Sequence, residues 1–230
     1  MKFSVVVFPG SNSDYDAFYA ASRVIGEQAE LIWHKDTDLK GADVVILPGG
    51  FAHGDYLRTG AIARFSPVMG AVEEFARSGG PVLGICNGFQ VLCEAGLLPG
   101  ALLPNESLRF LCRQVDVEVT STDTAWTGAC EGGQILSIPT KHQTGRYYAP
   151  PEMLESLEAG GQVAFRYASG QNPNGSLNDI AGVCNEGRNV VGLMPHPERC
   201  SEALLGGTDG YRVLANLASA LAGTPVAIYR

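Results

Sequence analysis

Charged residues are scarce in this chain. They make up 17% of its 230 residues, whereas a typical soluble protein has about 25%. Acidic residues outnumber basic ones by 24 to 16, which gives a net charge of −8 at pH 7. Lysine and arginine form no cluster, although a nucleic-acid-binding domain needs a basic face. The composition therefore argues against a nucleic-acid partner and is compatible with a small neutral or zwitterionic substrate.

Long apolar runs and paired cysteines are also missing. No stretch approaches the roughly 20 apolar residues of a membrane helix, and the apolar run at the N-terminus is too short for a secretory signal. The six cysteines include no Cys-x-x-Cys pair, which argues against a zinc site. We therefore expect a cytoplasmic protein with reduced thiols, without membrane contact and without a metal site of its own.

Strand and helix patterns alternate in the first part of the chain. Strands are predicted at residues 3–8, 30–34, 43–47 and 82–85, and helices at residues 14–25, 67–77 and 89–95. Several of these strands are apolar throughout, which is typical of a mostly parallel central sheet with helices on both faces. The first part of the chain therefore indicates an α/β fold.

The pattern changes after residue 100. Further strands are predicted at residues 110–120, 135–138, 162–167 and 180–194, a last helix at 211–221, and exposed loops at 139–151 and 169–176. Because helical patterns are sparse here, we expect an antiparallel extension of the parallel sheet. The chain shows no linker, repeat or low-complexity tract, so residues 1–230 are predicted to form a single domain.

Cys86 directly follows one of the apolar strands and stands between Gly84 and Gly88. This is the pattern of a nucleophile elbow, a sharp strand-to-helix turn that lifts the nucleophile above the sheet edge. Small neighbours are needed because the turn leaves no room for side chains, and the N-terminus of the next helix favours the thiolate. The alternative is a buried cysteine that only packs in the core, so the role of Cys86 depends on a base nearby.

A candidate base follows 110 residues later, at the end of another apolar strand. In an extended chain, residues i and i+2 point to the same face, so Glu198 can lie beside His196 and orient it. Pro197 between them is rigid and suits a strand end. With Cys86, these residues supply a nucleophile, a base and an orienting carboxylate. The combination is far more specific than either segment alone.

An oxyanion hole for acyl transfer is expected where the strand ends converge. The backbone N–H of Asn87, which follows the nucleophile, is one natural donor. A second N–H is expected from the turn of Gly49, Gly50 and Phe51, where missing side chains let the backbone approach the substrate. An ordinary strand-ending turn is the alternative for this segment.

An unusually long loop follows that turn, and its length favours a function. Three of its residues are candidates for partner contact or site organisation: Asp55, Tyr56 and Arg58. Solvated loop charge is the alternative interpretation. No Gly-x-x-x-x-Gly-Lys-Ser/Thr phosphate loop occurs in the chain, so any ATP chemistry is expected in a partner.

The pattern Gly84-x-Cys86-x-Gly88-x-Gln90, with the distant His-Pro-Glu at 196–198, resembles the class I (triad) glutamine amidotransferases. Residues 8–16, 49–63, 105–110 and 172–182 look like the glutaminase subunits of phosphoribosylformylglycinamidine synthases. The resemblance spans nearly the whole chain. It implies the flavodoxin-like fold of class I amidotransferases and a complex with an ATP-dependent synthetase subunit and a small third subunit.

The resemblance also implies a mechanism. Cys86 attacks the side-chain amide of glutamine, His196 serves as acid and base, Glu198 orients His196, and water hydrolyses the γ-glutamyl thioester. Gly49, Gly50 and Gln90 are implied to bind the substrate, with Gln90 on its amino-acid head; a helix-surface glutamine is the alternative for Gln90. Ammonia passes to the synthetase, which aminates formylglycinamide ribonucleotide in purine biosynthesis. ATP and magnesium are expected in that partner, and no cofactor in this chain.

One segment departs from the family pattern. Residues 141–147 resemble a His-Gly-Glu-Gly-Arg-Tyr sequence, but Gln143 and Thr144 replace its Gly and Glu. His142 in this segment is interpreted either as a loop contact or as an exposed bystander. Two other functions are considered: a stand-alone Cys-dependent γ-glutamyl hydrolase that needs no partner, and a non-catalytic scaffold. The intact Cys-His-Glu set argues against the scaffold.

Overall fold

A computed structural model of the protein describes residues 1–217. In that part, the strands are β1 Lys2–Val7, β2 Gln28–Trp33, β3 Val44–Leu47, β4 Val82–Ile85, β5 Ala101–Pro104, β6 Leu111–Val119, β7 Ile135–His142, β8 Thr144–Tyr148, β9 Val163–Tyr167, β10 Ile180–Cys184 and β11 Val190–Leu193. The α-helices are α1 Asp14–Tyr19, α2 Pro67–Arg77, α3 Asn87–Glu94, α4 Pro151–Ala159 and α5 Asp209–Leu214. A π-helical segment, Ala20–Ile25, continues α1. None of the helices within residues 1–217 has the length and apolarity needed to cross a membrane.

The main sheet has the strand order β2-β1-β3-β4-β11-β10-β9-β6-β7. Its strands are parallel from β2 to β11, and each pairing from β11 onward is antiparallel. Every residue of β3, β4 and β11 is buried, as expected for strands covered on both faces. The predicted α/β fold with a mostly parallel sheet and an antiparallel extension is therefore confirmed. A separate two-stranded ribbon pairs β5 with β8.

The strand register brings three segments together at one edge of this sheet. Gly84 of β4 lies opposite Leu47 of β3, and Ile85 lies opposite Leu193 of β11. Since these strands are parallel, the residues that follow them emerge side by side. Ligands bind at such carboxyl edges in open α/β sheets. The segments that begin at residues 48, 86 and 194 therefore meet above the sheet.

Several segments differ from their predictions, and β5 and α4 were not predicted. Residues 180–194 form two antiparallel strands, β10 and β11, because the polar residues 185–189 turn the chain between them. Residues 139–151 were predicted to be an exposed loop, but this is wrong: β7 continues to His142 and β8 follows. Here β8 gains its hydrogen bonds from β5, which lies far away in sequence. Of the helix predicted at 211–221, the structure shows α5, which ends at Leu214, and residues 218–221 lie outside the described part.

Helix α3 packs very closely on the parallel strands. A Cβ atom on Gly88 would lie 1.9 Å from the carbonyl oxygen of Leu47, a distance that no side chain can occupy. A Cβ on Gly192 would lie 2.0 Å from the ring of Phe89. The helix that follows Cys86 can therefore approach β3 and β11 only because glycine stands at these contacts.

This contact gives a stability prediction. We expect Gly88→Ala to lower the free energy of unfolding by about 2–3 kcal/mol, because the new methyl group meets rigid backbone. Gly70→Ala in α2 is the matched control: a Cβ there meets nothing within 4 Å, so it should raise the free energy of unfolding by about 0.5–1 kcal/mol. Urea unfolding measures both. Equal stability of the two variants would show that the close approach is not required.

Candidate active site

Cys86 occupies a strained turn between β4 and α3. Its backbone angles are φ 50° and ψ −103°, a region that non-glycine residues rarely adopt and that is common at functional sites. The N–H of Cys86 donates to the carbonyl of Leu193 at 2.8 Å, and its own carbonyl accepts the N–H of Gln90 at 3.2 Å. These two hydrogen bonds fix the turn to β11 and to the helix. The thiol faces the carbonyl of Lys141 at 3.8 Å.

His196 and Glu198 form a fully buried pair just after β11. Nδ1 of His196 lies 2.5 Å from Oε1 of Glu198, and neither side chain is exposed. The backbone N–H of His196 donates to the carbonyl of Pro139 at 2.8 Å. Both residues were predicted to lie on an extended strand, but Pro197–Cys200 forms a 3₁₀ turn. That turn, rather than strand alternation, brings the carboxylate to the imidazole.

Electrostatic forces on His196 favour its charged form. Burial opposes the charge, but the Glu198 carboxylate and the Cys86 thiol outweigh burial and raise the pKa of His196 to about 9. Nε2 of His196 is buried and has no hydrogen-bond partner among residues 1–217, so it is available for proton exchange with Cys86. The guanidinium of Arg199 lies 3.8 Å from Glu198 and pairs mainly with Asp16 at 2.6 Å.

Two of the three backbone N–H groups predicted for the oxyanion hole are free of an acceptor within residues 1–217. Asn87 is the first residue of α3, and the first N–H groups of a helix have no partner inside the helix. No acceptor is found within residues 1–217 for this N–H or for that of Gly50. The N–H of Phe51, however, donates to the carbonyl of Gly10 at 2.9 Å. The predicted contribution of Phe51 is therefore wrong, because its N–H is already used.

Hydrogen bonds from the segment after β1 fix the orientation of the Gly49–Gly50 peptide. The carbonyl of Gly49 accepts the N–H groups of Asn12 and Ser13 at 3.3 and 3.1 Å. A Cβ on Gly49 would lie 2.5 Å from Cε1 of His196, so the imidazole packs directly on this peptide. Glycine is thus required at position 49 for His196 to reach its place beside Cys86.

These groups open into a cleft of about 640 Å³, which Gly50, Cys86, Gln90 and His196 help to line. Gln90 is buried in its wall. Its Nε2 donates to the carbonyl of Thr144 at 2.6 Å, and its Oε1 accepts from Nδ2 of Asn87 at 2.8 Å. One N–H and one lone pair of Gln90 remain for a ligand.

The three loop candidates have different environments. Asp55 lines the cleft and accepts a hydrogen bond from Nδ2 of Asn87 at 3.1 Å. Arg58 stands at the cleft wall but makes two 2.6 Å hydrogen bonds to the carboxylate of Glu94. Tyr56 is 74% exposed and does not line the cleft. Only Asp55 is thus connected to the nucleophile elbow.

His142 is buried against the cleft and is not an exposed bystander. Its Nδ1 lies 3.0 Å from the hydroxyl of Thr140, and its Nε2 lies 3.1 Å from Nδ2 of Asn174. Burial and the nearby His196 lower the pKa of His142 to about 3, so it is neutral at pH 7. Asn174 was not among the predicted site residues. The signal for an inward-facing His142 is the two-residue period of β7, which puts it on the same face as the buried Leu136 and Ile138.

Comparisons with known proteins agree with this geometry. A family model described as a CobB/CobQ-like glutamine amidotransferase domain matches residues 1–207. Over 226 residues the chain is 62% identical to the phosphoribosylformylglycinamidine synthase subunit PurQ of Rubrobacter xylanophilus, with 98% of this chain and 100% of that protein covered. The chain belongs to the PurQ family of glutamine amidotransferases. The family resemblance drawn from the sequence is confirmed.

Further relatives of this PurQ-family chain support the same assignment. The PurQ subunit of a Nostoc species is 56% identical over 217 residues, with 94% of this chain and 96% of that protein covered. The solved structure of PurLQS from Thermotoga maritima matches with a TM-score of 0.87 and 42% identity, covering 96% of this chain and 98% of that one. The glutaminase domain of Trypanosoma brucei CTPS, with 14% identity and a TM-score of 0.61 over 100% of this chain and 96% of that one, shares the fold.

The cysteines of this PurQ-family chain should respond differently to two reagents. We expect an electrophilic glutamine analogue to label Cys86 alone, and iodoacetamide to label the exposed Cys112 as well. The remaining thiols have a pKa raised by burial: Cys93, Cys130, Cys184 and Cys200. Peptide mapping by mass spectrometry locates each adduct. Labelling of Cys112 by the glutamine analogue as fast as Cys86 would contradict a substrate-shaped site at Cys86.

The buried pair gives a kinetic prediction. His196→Ala should lower glutamine turnover by about 100- to 10,000-fold, the usual range for a general acid–base group. Glu198→Gln should cost less, because it still orients the ring. Since His196 must carry a proton for the leaving ammonia, wild-type kcat/KM should fall as pH rises through about 9. Loss of the Glu198 charge lowers the pKa of His196, so this limb should move to lower pH.

Steady-state glutaminase assays across pH test the pair. His34→Gln is a control, because His34 is also buried and bonded to a hydroxyl, Ser66, but lies outside the cleft. It should keep turnover within a few fold of wild type. An alkaline limb at the same pH in Glu198→Gln and wild type would refute the electrostatic role of Glu198.

Proposed function

We propose that this chain is the glutaminase subunit of phosphoribosylformylglycinamidine synthase, with residues 1–230 as a single amidotransferase domain acting in the cytoplasm. It hydrolyses glutamine and supplies ammonia to a synthetase that converts formylglycinamide ribonucleotide to formylglycinamidine ribonucleotide with ATP in de novo purine biosynthesis. The observation that carries the proposal is the strained Cys86 together with His196 in one cleft, with Glu198 buried beside His196, in a chain 62% identical to a PurQ subunit.

The geometry supports a thioester mechanism. The Cys86 thiol gives its proton to Nε2 of His196, and the sulfur attacks the side-chain amide carbon of glutamine. The N–H groups of Asn87 and Gly50 stabilise the oxyanion; such donors are each worth about 100- to 1,000-fold in rate. His196 then protonates the departing ammonia while Glu198 stabilises the imidazolium. Water releases glutamate from the γ-glutamyl thioester.

We infer the partners of this chain from its relatives. The PurLQS structure, which matches over 96% of this chain, supports a complex with counterparts of PurL and PurS. We assign ATP and magnesium to the synthetase subunit, because hydrolysis through Cys86 uses only protein groups and water. Glutamine is the substrate assigned to this chain, and no cofactor is assigned to it.

Replacement of the nucleophile tests the function in the assembled complex. Cys86→Ala should abolish glutamine-dependent formation of formylglycinamidine ribonucleotide, because Cys86 serves only ammonia release. Synthesis from added ammonia should remain close to wild type. Cys112→Ala, which removes an exposed thiol, is the control and should leave both activities unchanged. Glutamine-dependent synthesis by Cys86→Ala would disprove the assignment, and full glutaminase activity of the isolated chain would favour a stand-alone hydrolase.

A further inference from the structure

The cleft contains a carboxylate that lacks a cation. Asp55 is half-buried and lines the same cleft as Cys86. Burial raises the pKa of Asp55 to about 6, and among the described residues the amide of Asn87 is the one neighbour that opposes this rise. Within residues 1–217, Oδ1 accepts that amide N–H and Oδ2 has no bonded partner. Removing a carboxylate from water without a counter-charge is unfavourable. A cationic group of a ligand would therefore be stabilised at Asp55.

The cationic side chains that line the cleft do not pair with Asp55. Arg58 follows closely in the chain, but both of its hydrogen bonds go to Glu94. Lys141 lines the cleft, yet the charges that act on its ammonium are those of Arg199, Glu198, Cys86 and Asp16. His142 is held neutral by burial. Asp55 is therefore the one anionic side chain among the described residues that line the cleft, and none of them neutralises it.

Asp55 is joined to the nucleophile by a short chain of contacts. Asn87 is the residue after Cys86, and its Nδ2 donates both to Asp55 at 3.1 Å and to Gln90 at 2.8 Å. Its Oδ1 accepts the N–H of Ala52 at 2.9 Å, so the amide cannot turn away. The carboxylate thus stands at a fixed place in the cleft wall, one side chain from the elbow.

Glutamine carries a cation only a few bonds from the amide that Cys86 attacks. We propose that Asp55 binds the α-ammonium group of glutamine and so selects a free amino acid over an amide without that group. This inference rests on the proposed glutaminase function, since it names a contact of the same substrate. A charged hydrogen bond contributes about 1.5–3 kcal/mol. Its loss should therefore weaken binding by about 10- to 100-fold.

The test compares two substrates in two variants. Asp55→Asn removes the charge and keeps the shape, and asparagine tolerates the left-handed backbone of position 55, where φ is 53°. Glutaramate, which is glutamine without its amino group, is the second substrate. Asp116→Asn is the matched control, because Asp116 is also half-buried and also accepts an amide N–H at 3.1 Å, but lies outside the cleft.

Steady-state kinetics of the full chain, with and without the synthetase subunits, give the answer. In Asp55→Asn, KM for glutamine should rise about 10- to 100-fold with kcat within a few fold, while KM for glutaramate stays at its wild-type value. Asp116→Asn should match wild type for both. Calorimetric titration of both compounds into Cys86→Ala and Cys86→Ala/Asp55→Asn measures the same discrimination without turnover.

Other outcomes are decisive as well. Equal losses for glutamine and glutaramate would overturn the inference, because Asp55 would then only shape the cleft. A second result would also overturn it: KM for glutamine stays unchanged in Asp55→Asn, but the synthetase no longer activates the chain. Asp55 would then form an ion pair with a lysine or arginine of the partner. Failure of the wild-type chain to bind or hydrolyse glutamine under any condition would reject the proposed function itself, which is a distinct result.

Discussion

The close approach of α3 to the parallel strands is the constraint on which the site depends. Gly88 lets the helix backbone reach Leu47 of β3, and Gly192 makes room for the ring of Phe89 over β11. Because α3 lies so close to β3 and β11, the chain must turn sharply at Cys86 between β4 and α3. The positive φ of Cys86 is the result of this turn. The strained backbone of Cys86 is therefore maintained by the packing of other residues around it.

The strand, turn and helix around Cys86 could be predicted from nearby sequence. The apolar run before Cys86, the flanking glycines and the helix-forming residues after it belong to one short segment, and the structure has β4 and α3 there. The same holds for α2, which spans Pro67–Arg77 as predicted and has a proline in its first turn, where proline fits a helix. Segments whose structure depends on nearby sequence could be assigned correctly.

Long-range pairing explains what could not be predicted. The ribbon of β5 and β8 joins residues far apart in sequence, so the predicted loop at 139–151 carried no local sign of this strand pairing. Phe51 was expected to offer a free N–H, but the carbonyl of Gly10, from another strand end, already accepts it. The 3₁₀ turn after His196 likewise produced the expected pairing with Glu198 by a different geometry.

The two carboxylates of the site differ in how their charge is balanced. Glu198 is fully buried, but the imidazole of His196 faces it at 2.5 Å, so the pair is balanced within the protein. Asp55 is less buried, yet it has only an amide beside it and its pKa is raised to about 6. Since burial disfavours an unpaired charge, a cation that enters the cleft gains more at Asp55 than at Glu198. In the proposed mechanism, the pair of His196 and Glu198 is therefore complete before substrate arrives, whereas the charge of Asp55 is balanced by the substrate.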